Sequence, residues 1–505
     1  MIDSKSEWYE ETNGVFQQVL DQVALNLNEV HSVDYSTRYW NIFVGPWLQQ
    51  FVDMVMFRIR DLAIDIEIPA ATTEYAPANS LRHFNDLSKL ECFVERLHHD
   101  TLLHFENNKD ARGTERTAQK NSTVVASDQR LDRSFVTATY LPRKTEAALQ
   151  LCLGRTPRRI KYQDLHPVET NSKFRTLLSN AGKNKPTKAQ IVIALLPGYM
   201  PRSYVEQYGE LIQTRKPWGS KRFPKVIFTA NRHLYDDVFN FWAALATEHG
   251  SRLVLAQHGG NYGISEFPSF SERHENLVAD RYVTWGWGST GPTYQGFALP
   301  LIGRALHPSQ SEGSLLVITD QLWKYPRSIF SDMPESSTYL SHLKSTIDGL
   351  LPDIRSETLL RIHHAHEDAG SSQIDWWKLN NPDIRQDVGN VGFEKRLAES
   401  RLVLIAHNGT SIPESIALHA PTVITWSDTY MKVRKSAEPV FDALERVGIF
   451  HRTPESAAEF INSIWDDIDG WWRSPATLEA RKHFTDQYAR TVPNPVRFLA
   501  KALQF

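Results

Sequence analysis

Cysteine is nearly missing from this sequence: two residues in 505, Cys92 and Cys152, neither of them in a CxxC pair. That scarcity excludes a disulfide framework and a thiolate zinc site, and it fits a reducing compartment. Charge of one sign is also missing. Lysine and arginine number 56 against 59 aspartates and glutamates, for a formal net charge of −3. Bulk electrostatic attraction to nucleic acid is therefore excluded as the organising theme. There is no long uninterrupted apolar run. The nearest, Tyr39–Phe57, contains Asn41, Gln49, Gln50 and Asp53 and is broken by Gly45-Pro46, which is too polar for a membrane span. Trp47, Leu48, Phe51, Val52, Val55 and Met56 recur in it at three- and four-residue spacing, which predicts a core helix starting at Pro46. The first residues, Met1–Glu11, are acidic and polar, unlike a secretory signal. A soluble, cytoplasmic chain is expected.

What is present is the material for a large core: 41% hydrophobic residues, 23% charged and fourteen tryptophans. The length predicts two domains. Residues 1–106 read as helical, with helices over Val15–Val30, from Ser36 (an N-cap) onward, and over Leu87–Glu106. A polar stretch over 107–134 reads as a surface loop. From Arg143 to Lys188 basic residues recur (Arg155, Arg158, Arg159, Lys161, Lys183, Lys185). They suit a solvated face, or contact with an anionic lipid-linked glycan or the inner face of the cytoplasmic membrane.

Short apolar runs then alternate with helical patterns. Ile191–Leu196, Lys225–Thr229, Arg252–Ala256 and Arg281–Thr284 read as strands, with Tyr235–Glu248 as a crossover helix. A second series has strands at Ser314–Thr319, Thr358–Ile362, Arg401–Ala406 and Thr422–Trp426. Its helices are Tyr339–Leu351, Gly392–Glu399, Pro413–His419 and Pro454–Asp467. This alternation predicts an α/β protein with parallel, doubly wound sheets. Gly303–Gly313 reads as a linker. The expected units are 1–308 with a helical elaboration, 309–474, and a helical tail, 475–505, packing back on the first unit. Two such Rossmann-like domains would face a cleft lined by the carboxyl ends of their strands.

Two segments fall on that cleft. The first follows strand Arg252–Ala256: Gln257-His258-Gly259-Gly260-Asn261-Tyr262-Gly263, then Glu266, Glu272, His274 and Glu275, then Asp280 and the run into Trp285-Gly286-Trp287-Gly288. Glycines let backbone amides approach a ligand, and His258 beside carboxylates suits general-base or nucleophilic work. A tight turn satisfied by its own histidine fits as well. The second segment follows Thr358–Ile362: Arg361, His363, His364 and His366, then the loop His407-Asn408-Gly409-Thr410-Ser411 and Glu414. Neighbouring histidines on a strand point to opposite faces, which argues against a shared metal. Arg361 with a histidine suits a phosphate, and a loop entering a helix at Pro413 suits an anion or ordinary capping. No Walker sequence or GxGxxG occurs there, which argues against an ATPase or dehydrogenase.

The pattern QHGGNYG … DRYVTWGW resembles that of a transferase family found in O-antigen and related surface-polysaccharide gene clusters. Leu27–His31, Ser36–Trp40, Val44–Trp47, Ser400–Glu414 and Ala420–Thr422 extend the likeness over roughly residues 25 to 490. The resemblance implies a GT-B-like glycosyltransferase, related to enzymes that use CMP-activated ulosonic acids such as Kdo. On this reading a nucleotide-activated sugar is the donor and a glycan or lipid-linked glycan the acceptor, with no metal and no other cofactor. His258 and Glu272 are the expected catalytic groups, and Gln257, Gly259, Gly260, Tyr262 and Gly263 contact substrate. Arg361, His363, His364, Asn408, Gly409, Thr410, Ser411 and Glu414 hold the donor. A sugar-nucleotide epimerase or hydrolase, and a non-catalytic scaffold of a polysaccharide assembly, are the rivals.

Overall fold

The computed structural model describes residues 5–62, 134–157, 165–178, 187–214, 223–288, 290–304, 306, 312–322, 336–363 and 373–504. Outside them lie the Leu87–Glu106 helix, all but the last residue of the 107–134 loop, His364 and His366, and Arg158, Arg159, Lys161, Lys183 and Lys185. Two parallel sheets organise the rest. The first has the order β1-β2-β3-β4-β5: Phe135–Val136, Val226–Thr229, Arg252–Ala256, Arg281–Thr284 and Thr293–Gln295. The second has the order β11-β10-β9-β6-β7-β8. Its strands are β6 Ser314–Ile318, β7 Thr358–Arg361, β8 Arg385–Asp387, β9 Ser400–Ile405, β10 Thr422–Thr425 and β11 Phe450–His451. The chain therefore starts in the middle, winds outward through β7 and β8, then returns to wind the other way from β9. That is the doubly wound order of nucleotide-binding sheets, with its switch point between β6 and β9.

Two long helices cover the first sheet's helical layer, Lys5–His31 and Thr37–Leu62. The second is almost entirely buried, from Tyr39 and Trp40 through Trp47, Phe51 and Val55 to Ile59. It begins after Ser36, the N-cap read from the sequence, whose hydroxyl accepts from the Tyr39 amide at 3.1 Å; Pro46, where the apolar spacing placed the start of a core helix, is carried inside it. Pro46 cannot donate to the carbonyl one turn back, a cost of about 3 kcal/mol that the apolar area buried by this helix outweighs. Asp53, a buried charge within this helix, is met by Arg273.

Ile191–Leu196 is not a strand. It lies in the helix Lys188–Tyr199, whose start is fixed by a capping box between Thr187 and Gln190. The segment is apolar all round because it is enclosed by the N-terminal helices, and a short apolar run has no period by which to tell a strand from a buried helix. The first sheet instead gains the two short strands β1 and β5. After the second sheet the chain turns back. Helix Pro475–Tyr488 packs on helix Glu438–Arg446, and helix Pro495–Ala502 packs on helix Arg143–Cys152, placing Leu499 and Leu503 against Val136, Phe228 and Val283. Among the described residues no helix is long and apolar enough to cross a membrane.

Candidate functional site

The carboxyl ends of the two sheets meet. Gly260, in the turn after β3, donates its amide to Thr410 Oγ1, in the turn after β9, at 3.0 Å. A Cβ on Gly260 would lie 2.7 Å from the Thr410 Cα and 2.8 Å from the Gly409 carbonyl oxygen. Close approach explains this glycine, but the partner is the opposite domain and not a ligand. Gly263, at φ +76°, has the Trp287 ring within 2.4 Å of where a Cβ would stand. Two of the three turn glycines thus serve packing. Gln257 also braces the turn, because its Oε1 accepts from the Trp285 amide at 2.8 Å and from Trp287 Nε1 at 2.7 Å. Gln257 Nε2 in turn donates to the Gly259 carbonyl. The motif DRYVTWGW spans both ends of β4. Asp280 sits at the amino end, tied to Arg38, Arg252 and the Leu253 amide, and the tryptophans sit at the carboxyl end over Gln257.

Helix Phe270–Val278, capped by Ser269, supplies the acidic groups. Glu272 and Glu275 are one turn apart and both are buried. Glu272, expected as a catalytic group, is engaged in the contact between the two domains. It accepts from Arg434 at 2.9 Å and from the Gly263 amide at 3.2 Å, and burial raises its carboxyl above the usual range against the pull of Arg434. Arg434 lies on the second domain. Its amide donates to the Ile264 carbonyl at 2.8 Å, and Ser265 and Val433 form an antiparallel bridge. Glu272 is thus a seam residue.

Glu275, on the same helix, lies beside His258 instead. His258 Nδ1 lies 3.3 Å and His233 Nε2 2.9 Å from its Oε1, so two histidines flank one carboxylate. Burial alone would raise this carboxyl, but His258 and His233 together hold it down, at about 2. The Tyr262 hydroxyl stands 3.1 Å from His258 Nε2. Tyr262 is fully buried, so its phenol is raised well above its ordinary value. Of this group His258 keeps the greatest access, with 15% of its side chain exposed. His233, in the turn after β2, was missed in the sequence because nothing local marks it; only the register of β2 beside β3 brings it to Glu275.

Across the cleft, the loop after β9 lies at the switch point. Asn408 Nδ2 donates to Ser265 Oγ at 2.8 Å, while its Oδ1 is buried with no partner among the described residues. Ser411 Oγ is 3.3 Å from His407 Nε2. The Gly409 carbonyl receives the Ile412 amide. Neighbouring this loop are Thr319 and Asp320, at the end of β6, which the sequence pattern does not single out. Thr319 Oγ1 accepts from the His363 amide at 3.2 Å, and Gln373 Nε2 donates to the Asp320 carbonyl at 2.7 Å. Arg361 is committed elsewhere: Asp387 at 2.7 Å and the Val391 carbonyl at 2.8 Å hold its guanidinium. Glu414 pairs with Arg304, from the end of the first domain, at 3.1 Å, and burial raises its carboxyl. Both had been expected to face the donor, and both are neutralised by charges the linear sequence does not place beside them.

The family model for LIC12162 family transferase matches residues 3–105 and 99–503. The chain belongs to that transferase family. Solved structures of similar shape include MurG of Acinetobacter baumannii, with 12% identity, TM-score 0.36, and coverage of 74% of this chain and 98% of that one. The spinosyn rhamnosyltransferase SpnG, in complex with spinosyn aglycone, gives 13%, 0.33, 74% and 100%. WaaG, a glycosyltransferase involved in lipopolysaccharide biosynthesis, gives 10%, 0.32, 74% and 99%. No curated protein matches the chain significantly. For this member of the transferase family the fold rests on its own strand order: two Rossmann-like domains with facing carboxyl edges and a helical N-terminal elaboration, a GT-B-like arrangement.

Proposed function

We propose that this transferase is a glycosyltransferase, with His258 as the base that activates an acceptor hydroxyl and the β6/β9 switch point as the seat of a nucleotide-activated sugar. The observation that carries the reading is the His258–Glu275–His233 row, whose most exposed member, His258, sits in the turn that packs on the Asn408–Ser411 loop. Glu275 on Nδ1 fixes the ring and stabilises the imidazolium formed when Nε2 takes the proton of an acceptor hydroxyl, which would displace the Tyr262 hydroxyl now 3.1 Å from that nitrogen. The acceptor oxygen then bonds to the anomeric carbon as the bond to the donor phosphate breaks, and the nucleotide departs with the electron pair. The amides of the loop would stabilise that leaving group, a contribution usually larger than that of the base. The scheme needs no metal, so a chelator should leave turnover unchanged.

For the donor we propose a CMP-activated ulosonic acid such as Kdo, and for the acceptor a bacterial surface polysaccharide. Both rest on the resemblance of Gln257–Gly263 and Asp280–Gly288. The test is a thermal-shift panel of UDP-, GDP-, TDP- and CMP-sugars, in which a bound donor raises the melting temperature by mass action. A shift with the CMP-sugar alone is expected. His258→Ala should keep that shift and lose transfer by about a hundredfold or more. Wild-type turnover in this variant removes the base assignment, and release of free sugar without acceptor turns the reading into a hydrolase.

A further inference from the structure

The loops after β1, β2 and β3 stand side by side on the carboxyl edge of the first sheet, one strand spacing apart, about 4.8 Å. The third carries His258. The other two carry Tyr140 and Tyr235, 46% and 47% exposed, which are the two aromatic side chains among the large exposed hydrophobics of the described chain. Both lie on this edge. They are joined through the β2 loop, where Asn231 Nδ2 donates to the Tyr140 hydroxyl at 2.7 Å. Tyr235 lies within electrostatic reach of Tyr262, whose hydroxyl touches His258.

The backbone at Tyr140 is held at some cost. Ala138 and Tyr140 have φ of +48° and +61°, a region that residues with a Cβ avoid. A buried network imposes it. The Ala138 carbonyl accepts the Ala230 amide at 3.0 Å, and Thr139 Oγ1 donates to Glu146 at 2.6 Å. Arg232, paired with Asp236 at 2.7 Å, donates to Thr137 Oγ1 at 3.3 Å. Glycine or asparagine would sit at position 140 with less strain. A tyrosine held there on a rigid base keeps 46% of its surface accessible, which suits contact with a ligand that uses an aromatic ring.

We propose that Tyr235 and Tyr140 form an acceptor platform, stacking successive pyranose rings of an oligosaccharide one and two strand spacings out from His258. Sugar rings have an apolar C–H face for the aromatic ring and a hydroxyl edge for Asn231. Arg232, the cation of the network beneath the platform, is paired with a carboxylate, so the surface suits a neutral glycan segment better than a phosphate. This rests on the glycosyltransferase reading, and it adds that the acceptor is read over more than one sugar.

The test uses the full chain on an array of mono- to tetrasaccharide fragments of bacterial surface polysaccharides, with the nucleotide-sugar thermal shift run on the same samples. Tyr140→Ala should weaken binding of the longer fragments by about tenfold, the scale of one lost aromatic contact, and leave the shortest unchanged. Tyr235→Ala should weaken all of them, and Tyr140→Phe should bind like wild type. Unchanged affinities in both alanine variants, binding of monosaccharides alone, or no wild-type binding overturns the platform. A donor-induced shift surviving in that case leaves the glycosyltransferase reading standing. Loss of the shift in wild type removes that reading first.

Discussion

Glu272 and Glu275 are the same residue type on one helix, one turn apart and equally enclosed, yet they face different regions with opposite consequences. Glu272 looks across the seam to Arg434 on the second domain, and burial raises its carboxyl. Glu275 looks back into the first domain between two histidines that hold its carboxyl down, at about 2. One is paired across the domain boundary and the other sits between His258 and His233. Which carboxylate serves which purpose is decided by the packing partners and not by distance from the motif.

The comparison can be broken directly. Glu275→Gln keeps the shape of the side chain but withdraws the charge that steadies His258. Transfer should fall by about a hundredfold in kcat, with little change in donor-induced thermal shift. Equal kcat in mutant and wild type would put Glu275 outside the mechanism. Next in size is Gly260→Ala, which drives a methyl into the Thr410 backbone. It should cost about 1–3 kcal/mol and weaken donor binding, because the two lips must part. Gly259→Ala is the control, since the nearest atom to its Cβ is the Asn261 side chain at 3.2 Å; similar losses at both positions would refute the seam argument. Glu272→Gln should cost about 2 kcal/mol, read by denaturant unfolding, while kcat stays within a few-fold. Its effect should shrink when Arg434→Gln is already present.

Acid should act on the buried histidines. His31, His274 and His342 are each lowered to about 4, by burial first, against 6.5 in an unfolded chain. Between pH 6.5 and 4 the unfolded chain binds protons that the folded one refuses, so stability falls as the pH is lowered through that window. A melting temperature that drops steadily from pH 7 to 5, and drops less in His274→Gln, is the expected result. Glu275 adds its own loss only at lower pH, since a carboxyl held at about 2 stabilises above 4.5 and loses that contribution below it. A flat profile from pH 7 to 5 would contradict the buried neutral state of these rings.

Much of the architecture was legible because strands and helices alternate with clear periods. The pairing of two sheets at Gly260 and Thr410 follows from turns already visible as glycine-rich. What misled was context. Ile191–Leu196 has no period because all of it but Ala194 is buried. Arg361, Glu272 and Glu414 looked available because their partners, Asp387, Arg434 and Arg304, are distant in sequence or unmarked by any motif. The three glycines of the first lip looked like a cradle for a ligand, and two of them instead admit a tryptophan ring and the opposite loop. His233 and Arg434 had no local sign at all.

The tail has a mechanical consequence. The chain passes from the first sheet to the second between Arg304 and Ser314, and it returns after Tyr488, where the Arg490 amide meets the Trp285 carbonyl at 3.0 Å and the Ala298 amide meets the Arg490 carbonyl at 2.8 Å. A Cβ on Gly286 would stand 2.5 Å from the Asp486 carbonyl oxygen, so this return lies hard against the Trp-Gly-Trp turn. A single tether would let the lobes swing in any direction. The return after Tyr488 is a second covalent crossing between the lobes, so parting them at the Arg434 seam would also load the backbone hydrogen bonds of Arg490.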